Sequence, residues 1–408
     1  MSEPHSSPPA AATPTAFLRA PARPRYVPAL DGLRGLAIVG VLLFHTDHLP
    51  GGFLGVDLFF ALSGYLITDL LLREAASTGR VSLVAFWGRR VRRLLPALAT
   101  MIAAVAVAAW ALGPPDLVRT TLGDLPWAQL QMLNWHLLAE SADYWDRFGA
   151  DRVFEHLWSI AVEEQFYLVW PLLVAALVRF GRRPARAVAV AATLISIASL
   201  LLMTTLAADP SRVYMGTDTR AFSLLLGALV AAPPVRDLLV RVAGRLAGAV
   251  MVLCAVAMGS IWLLADGTEA PWLFPGGLFA HSLLSAVLIA LVATDANTAV
   301  SRFLALRPLR WLGLVSYSLY LWHWPVIVLL SPEVTGLDGW TWTAVAWTVS
   351  IALAVLSKYL VEDPIRFRAG WARGWSGLLA FAIAMAAIAL LWILLPEPAP
   401  PVVDVTVL

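Results

Sequence analysis

The sequence predicts an all-α, polytopic integral membrane protein of about eleven transmembrane helices, N-terminus in and C-terminus out. Three observations carry this. Sixty per cent of the 408 residues are hydrophobic and only 14% are charged, and mean hydropathy is +0.76, unlike any soluble domain of this length. Apolar runs near 20 residues, the length that spans a bilayer core, recur along the chain. The cations between those runs are distributed with a strong bias to one side.

The runs fall at about 32–49, 52–72, 94–112, 157–178, 187–207, 219–234, 246–264, 277–294, 311–330, 341–360 and 375–395. The first and sixth are short or interrupted by charge. With the N-terminus inside, the inner set holds Arg19, Arg23, Arg25 and Arg34; six residues from Arg73 to Arg93; four from Arg179 to Arg186; Arg236, Arg241 and Arg245; Arg302, Arg307 and Arg310; and Lys358, Arg366, Arg368 and Arg373. These are 24 of the 29 Lys and Arg, leaving outside only Arg119, Arg147, Arg152, Arg212 and Arg220. So large an asymmetry over short loops sets orientation, and with an odd number of spans it puts the C-terminus outside.

Residues 1–28, with seven prolines and no signal-peptide core, read as a disordered cytoplasmic tail. Residues 29–396 form the membrane domain, and 397–408 a short extracytoplasmic tail. The longest outside loop, 113–156, mixes aromatics (Trp127, Trp135, Tyr144, Trp145, Phe148) with acids; it is either an interfacial segment or a lid over an outer site. The single cysteine, Cys254, permits no disulfide framework, and the scattered histidines give no expectation of a metal. No nucleic-acid partner is expected.

Ionisable residues inside apolar runs are costly and so are functional candidates. Arg34 and His45 lie eleven positions apart in DGLRGLAIVGVLLFHTDH, on one helix face and about 16 Å apart along the axis. Imidazole suits proton transfer near neutral pH; the bland reading puts the Arg at the headgroups and the His in a polar gap. In FWGRRVRRLLP, Arg89, Arg90, Arg92 and Arg93 precede the third run. They serve either as topology signal and anionic-lipid contact or as a phosphate clamp, since guanidinium pairs hold phosphate bidentately. FEHLWSIAVEEQFYLVWP puts His156, Glu163 and Tyr167 near one face, and Glu163 and Glu164 in a span, where they need a partner or a wet cavity. Asp218 and Arg220 of YMGTDTRAFSLLLGA are placed to pair with each other. Ser316, Tyr320 and His323 recur at helical spacing in LGLVSYSLYLWHWPV, and VEDPIRF carries Glu362, Asp363 and Arg366 about a proline.

Taken together, these motifs resemble the acyltransferase-3 family of polytopic membrane acyltransferases. That family includes bacterial O-antigen and peptidoglycan O-acetyltransferases and macrolide acyltransferases. The resemblance runs from about Tyr26 to Arg368, through ALDGLRGLAI with its His, GVDLFFALSGYLIT, RRVRRLLP, HLWSIAVEEQFYLVWP, TDTRAFSLLLGA, SYSLYLWHWP and VEDPIRF. It implies transfer of an acyl group, usually acetyl, from a coenzyme A thioester to a hydroxyl. By that analogy Arg34 and His45 are the essential pair, and Arg90 and Arg93 best match the family's R-x-x-R, with Arg89 and Arg92 the other register. Glu163 is a candidate to orient the imidazole.

The expected partners are acetyl-CoA or another acyl-CoA, the lipid bilayer, and a hydroxyl-bearing acceptor: a surface glycan, a lipid-linked sugar or a macrolide. The expected location is the bacterial cytoplasmic membrane, as a multi-pass cell-membrane protein. Relatives acting on surface glycans often add a C-terminal SGNH hydrolase-like domain; here about 13 residues follow the eleventh run. The alternative is a proton-coupled transporter or flippase of a glycan or lipid intermediate, for which buried Arg, His and Glu would serve equally.

Overall fold

The computed structural model describes residues 26–145, 152–372, 374–396 and 398. Most of the expected tails lies outside the described residues, as do Asp146, Arg147, Phe148 and Asp151 of the long loop. Among the described residues every regular element is helical. A first group comprises α1 (Pro28–His45), α2 (Gly55–Thr78) and α3 (Leu83–Leu112), followed by α4 (Pro115–Gln129) and α5 (Leu133–Ala139) within the long loop. Next come α6 (Leu157–Phe180), α7 (Pro184–Thr205), α8 (Pro210–Met215), α9 (Thr217–Ala231), α10 (Pro233–Ala243) and α11 (Ala247–Leu264). The last group is α12 (Gly277–Thr294), α13 (Ala299–Leu304), α14 (Arg307–Leu329), α15 (Pro332–Thr335), α16 (Gly339–Leu356) and α17 (Gly374–Leu394). Beyond α16 the chain continues in π-helical turns at Ser357–Glu362 and Pro364–Arg368.

Among the described residues, ten segments are long and apolar enough to cross a membrane, and they match ten of the eleven apolar runs. The sixth run is α9, only 15 residues long. It packs against α2, α7 and α12 and is buried over most of its length, so protein surrounds it and it need not match the lipid thickness. It runs parallel to α2. Arg220 near its start meets Asp57, and Arg236 just past its end meets Asp69. That interval on α2 is about 18 Å.

Two boundaries matter for the site. α1 ends at His45, where the Thr46 hydroxyl donates to the Leu42 carbonyl. α3 starts at Leu83 rather than near 94, so the four arginines lie inside its first turns and not ahead of it. Ser82 caps that start, its hydroxyl accepting from the Ala85 N–H, and arginine is itself a good helix former. The α2–α3 turn is held by Glu74, which accepts from the Ser82 N–H at 2.8 Å and faces Arg89 at 3.6 Å.

Apolar surface alone does not drive helix association in lipid; close backbone packing does. The α2–α9 contact is of that kind. A Cβ at Gly64 would fall 1.7 Å from the Leu224 carbonyl oxygen, and one at Gly227 would fall 1.9 Å from that of Ala61. α1 and α14 meet in the same way, and in parallel, so residues that follow one another on α1 meet residues in the same order on α14.

Candidate active site

A cavity of about 290 Å³ lies among α1, α2, α3, α6, α14 and the π-helical turns. Its charged wall consists of Arg34, Arg90, Arg93, Lys358 and Arg366 against Asp31, Glu163 and Glu362. It adjoins a wider basin of about 1160 Å³ that shares Arg34, Arg90, Arg93 and Arg366 and adds Arg73, Arg89 and Arg92, opposed by Asp69 and Glu74. Seven arginines thus face two carboxylates at the mouth. A concave surface so biased in charge focuses a field that attracts a polyanion.

Helix rotation separates the two arginine registers. Arg90 and Arg93 line both the inner cavity and the basin. Arg89 and Arg92 line the basin and, on the far side of α3, an apolar groove between α3 and α17. Both pairs have i,i+3 spacing, so each shares a face, but only the first pair faces inward. The Arg90 guanidinium lies 4.3 Å from the centre of the Tyr167 ring, and that stacking holds its plane. Arg34 reaches the same cavity from α1, with Asp31 at 3.5 Å.

Glu163 is on the cavity wall, where Ser63 and Tyr167 both donate to its carboxylate. This answers how a carboxylate two turns into a span is tolerated: it borders a cavity and is hydrogen-bonded. The predicted face of His156, Glu163 and Tyr167 is thus only partly a unit, because His156 bonds to α14. Across the cavity, π-helical geometry carries Lys358, Glu362 and Arg366 to one face, with Lys358–Glu362 at 3.8 Å and Arg366–Glu362 at 3.7 Å. Such turns are frequent at functional sites. Lys358 was not singled out in the sequence, although its spacing four before Glu362 was a signal.

His45 is not in the cavity wall. The wall's Ser159 and Tyr320 hydroxyls lie 2.6 Å apart, and one turn beyond Tyr320 is His323. Its Nε2 lies 3.0 Å from Nδ1 of His45. The imidazole partner that the geometry supplies is therefore His323, and Glu163 is held instead by Ser63 and Tyr167. The Trp324 ring lies 4.8 Å from His45. Arg34 and His45 do share one stripe of α1, the one turned toward α14.

Prolines explain two of the contacts that set these helices. Pro325 has no N–H, so the Leu321 carbonyl four residues earlier loses its helical donor; His156 Nε2 donates to it at 3.1 Å. Pro171 likewise frees the Tyr167 carbonyl, and Trp87 Nε1 donates to it at 3.0 Å. Each proline thereby ties its helix to a neighbour.

The expected pairing of Asp218 with Arg220 does not occur. Arg220 is fully buried and binds Asp57 of α2 at 2.6 Å, while Asp218 binds Arg212 at 2.6 Å. The two residues are about half a turn apart on α9, which points Arg220 inward and Asp218 outward. Ser223 and Ser282 also donate to Asp57. The lone acid in GVDLFF was the missed sign that the run needed a cation.

The described parts of the long loop, α4, α5 and the segment from Arg152, lie at the end of the bundle that holds His45. Arg152 bridges Asp124 at 2.6 Å and Glu140 at 2.7 Å, and its carbonyl accepts from Trp324 Nε1 at 2.8 Å. Burial pushes the Asp124 carboxyl up to about 7 against the pull of Arg152. The hydrogen bond from Arg152 holds Glu140 below its usual range.

Comparison with known proteins gives a consistent result. The chain is 34% identical over 354 residues to the peptidoglycan O-acetyltransferase OatA of Listeria monocytogenes, covering 84% of this chain and 56% of that protein. It is 38% identical to the putative peptidoglycan O-acetyltransferase YrhL of Bacillus subtilis, covering 84% and 55%. It is 36% identical to the O-acetyltransferase OatA of Staphylococcus aureus, covering 84% and 58%. The chain thus spans a little over half the length of these curated relatives. No solved structure matches it. The acyltransferase-3 family model, described as an acyltransferase domain, matches residues 27–363, and the chain therefore belongs to the acyltransferase-3 family of membrane acyltransferases.

Proposed function

We propose that this protein is a membrane O-acetyltransferase that takes an acyl group, acetyl in the first instance, from a coenzyme A thioester and delivers it to a hydroxyl of a cell-envelope glycan. The observation that carries the reading is the convergence of Arg34, Arg90, Arg93 and Arg366 on one cavity whose wall is a single turn of α14 from the His45–His323 pair. Coenzyme A is a polyanion made in the cytoplasm, so on this reading the arginine-rich end is the cytoplasmic one, the sense that the cation bias of the loops also favours. Arg90 and Arg93 hold its phosphates, with Arg89 and Arg92 contributing charge at the mouth. The thin pantetheine arm enters the cavity, and Arg34 binds a phosphate or polarises the thioester carbonyl.

His45 then acts as base: it removes the acceptor's hydroxyl proton as the oxygen attacks the thioester carbonyl. The C–O bond forms, the C–S bond breaks, and the thiolate recovers the proton from the imidazolium. Transient acylation of His45 is the variant of the same chemistry. The names of the relatives point to peptidoglycan as acceptor, and the long loop over the His45 end would form part of the acceptor's binding wall.

The test is acetyl transfer by purified protein in lipid nanodiscs, with acetyl-CoA as donor and a chitin oligomer as acceptor. His45→Ala, at matched membrane level, is expected to lower transfer by about 10²–10⁴-fold, the typical worth of a general base. Activity within about threefold of the parent would make His45 a packing residue. A transporter would release no free coenzyme A.

A further inference from the structure

We propose that His323 is a positioning residue that locks His45 in the tautomer whose Nε2 carries the lone pair. The inference rests on His45 acting as base or acyl relay, both of which need that lone pair.

The assignment follows from a chain of two hydrogen bonds. His323 Nδ1 lies 2.7 Å from the carbonyl oxygen of Tyr320. A carbonyl only accepts, so Nδ1 carries a proton. The His323 ring is fully buried, and its partners in these bonds are a carbonyl and another imidazole. A second proton would leave a buried charge that neither partner balances, which is costly. Nε2 of His323 is therefore bare and accepts. The atom facing it at 3.0 Å is His45 Nδ1, which must then donate. A neutral imidazole protonated at Nδ1 has its lone pair at Nε2.

The neighbours fix the ring planes. His156 stands edge-on to His323, with centroids 5.5 Å apart and planes at 83°. Its own Nε2–H is engaged by the Leu321 carbonyl that Pro325 leaves without a helical donor. Trp324 packs against the His45 ring, with centroids 4.8 Å apart. The segment Tyr320–Pro325 thus supplies the carbonyl that holds His323, the imidazole and indole beside His45, and the proline that frees the Leu321 carbonyl for His156.

The experiment measures kcat and donor KM for acetyl transfer from acetyl-CoA to a chitin oligomer, using the full chain in nanodiscs. His323→Leu removes the acceptor atom at similar size. It is expected to lower kcat by roughly 10²–10⁴-fold, the range seen when a catalytic histidine loses its base role or its correct tautomer, with donor KM changed less than about threefold. His323→Gln, whose amide oxygen reaches the place of Nε2, should retain kcat within about tenfold. His323→Asn carries the same amide one bond short of His45 and should resemble Leu.

The double variant His45→Ala/His323→Leu should be no slower than His45→Ala alone, because one residue acts through the other. A packing role predicts the opposite order, with apolar Leu better than Gln and Gln equal to Asn. That order, or additive losses in the double variant, overturns the proposal. Should His323→Leu not reach the membrane, the Gln–Asn comparison decides alone. A fully active His45→Ala would sink the base reading itself; an inactive His45→Ala beside an active His323→Leu would sink only the role of His323.

Discussion

The two arginine registers of α3 make the sharpest prediction. Replacing Arg90 and Arg93 by Lys keeps both charges, and with them the topology signal, but removes the planar fork that grips phosphate bidentately. Both residues face the inner cavity, and Arg90 also loses its stacking on Tyr167 at 4.3 Å. Lysine keeps a point-charge contact, so each site should lose only part of the roughly 1.5–3 kcal/mol of a charged hydrogen bond. A loss of about 1.4 kcal/mol per site is tenfold in affinity, which puts the double variant near a hundredfold in donor Kd. Arg89→Lys with Arg92→Lys, on the outer face of the same turns beside the apolar groove, should change donor Kd by less than about threefold. The assay is titration of purified protein with coenzyme A and with dephospho-coenzyme A, after each variant's orientation has been checked. Equal losses from the two pairs, or no loss from the inward pair, would refute the separation by helix face.

Other consequences are as direct. Reporter fusions after Arg182 and after Gly336 should report opposite sides of the membrane, the first cytoplasmic; the same side for both would remove the eleven-crossing path in which α9 counts as a span. Asp57→Asn strips the counter-charge from the fully buried Arg220 and should cost about 3–5 kcal/mol, seen as a large fall in melting temperature, whereas a melting temperature within 2–3 °C (about 1 kcal/mol) would mean water reaches the pair. Asp124 has a folded-state pKa raised from 3.8 to about 7, so the folded protein binds this proton more tightly than the unfolded chain. Its contribution is therefore fully present below about pH 4 and is lost as pH rises toward 7. Thermal unfolding from pH 4 to 8 should show this downward slope in the parent and not in Asp124→Asn, and parallel curves would contradict it.

Much of this molecule was legible without coordinates, and the reason is that the deciding forces were local. Hydropathy over a 20-residue window marks which segments are apolar enough to enter lipid, so the apolar runs, the arginine cluster and Arg34, His45 and Glu163 within or beside those runs could all be read from the chain. What stayed hidden was made by contacts between distant segments. His45 and His323 are separated by 278 residues and Asp57 and Arg220 by 163, and no periodicity in either segment names its partner.

The choice between Arg89/Arg92 and Arg90/Arg93 has a similar cause. Both pairs have identical spacing, and only the rotation of α3, set by what α6 and α17 pack against it, turns one pair to the cavity and the other to the groove. α9 was similarly ambiguous because its length is matched to protein neighbours and not to lipid. The amino-acid sequence by itself determined which residues cross the membrane and which charges must be accommodated there. The tertiary structure alone decided which charge meets which, because a buried polar group is satisfied by whatever packing brings within 3 Å of it, and packing is a property of the whole bundle.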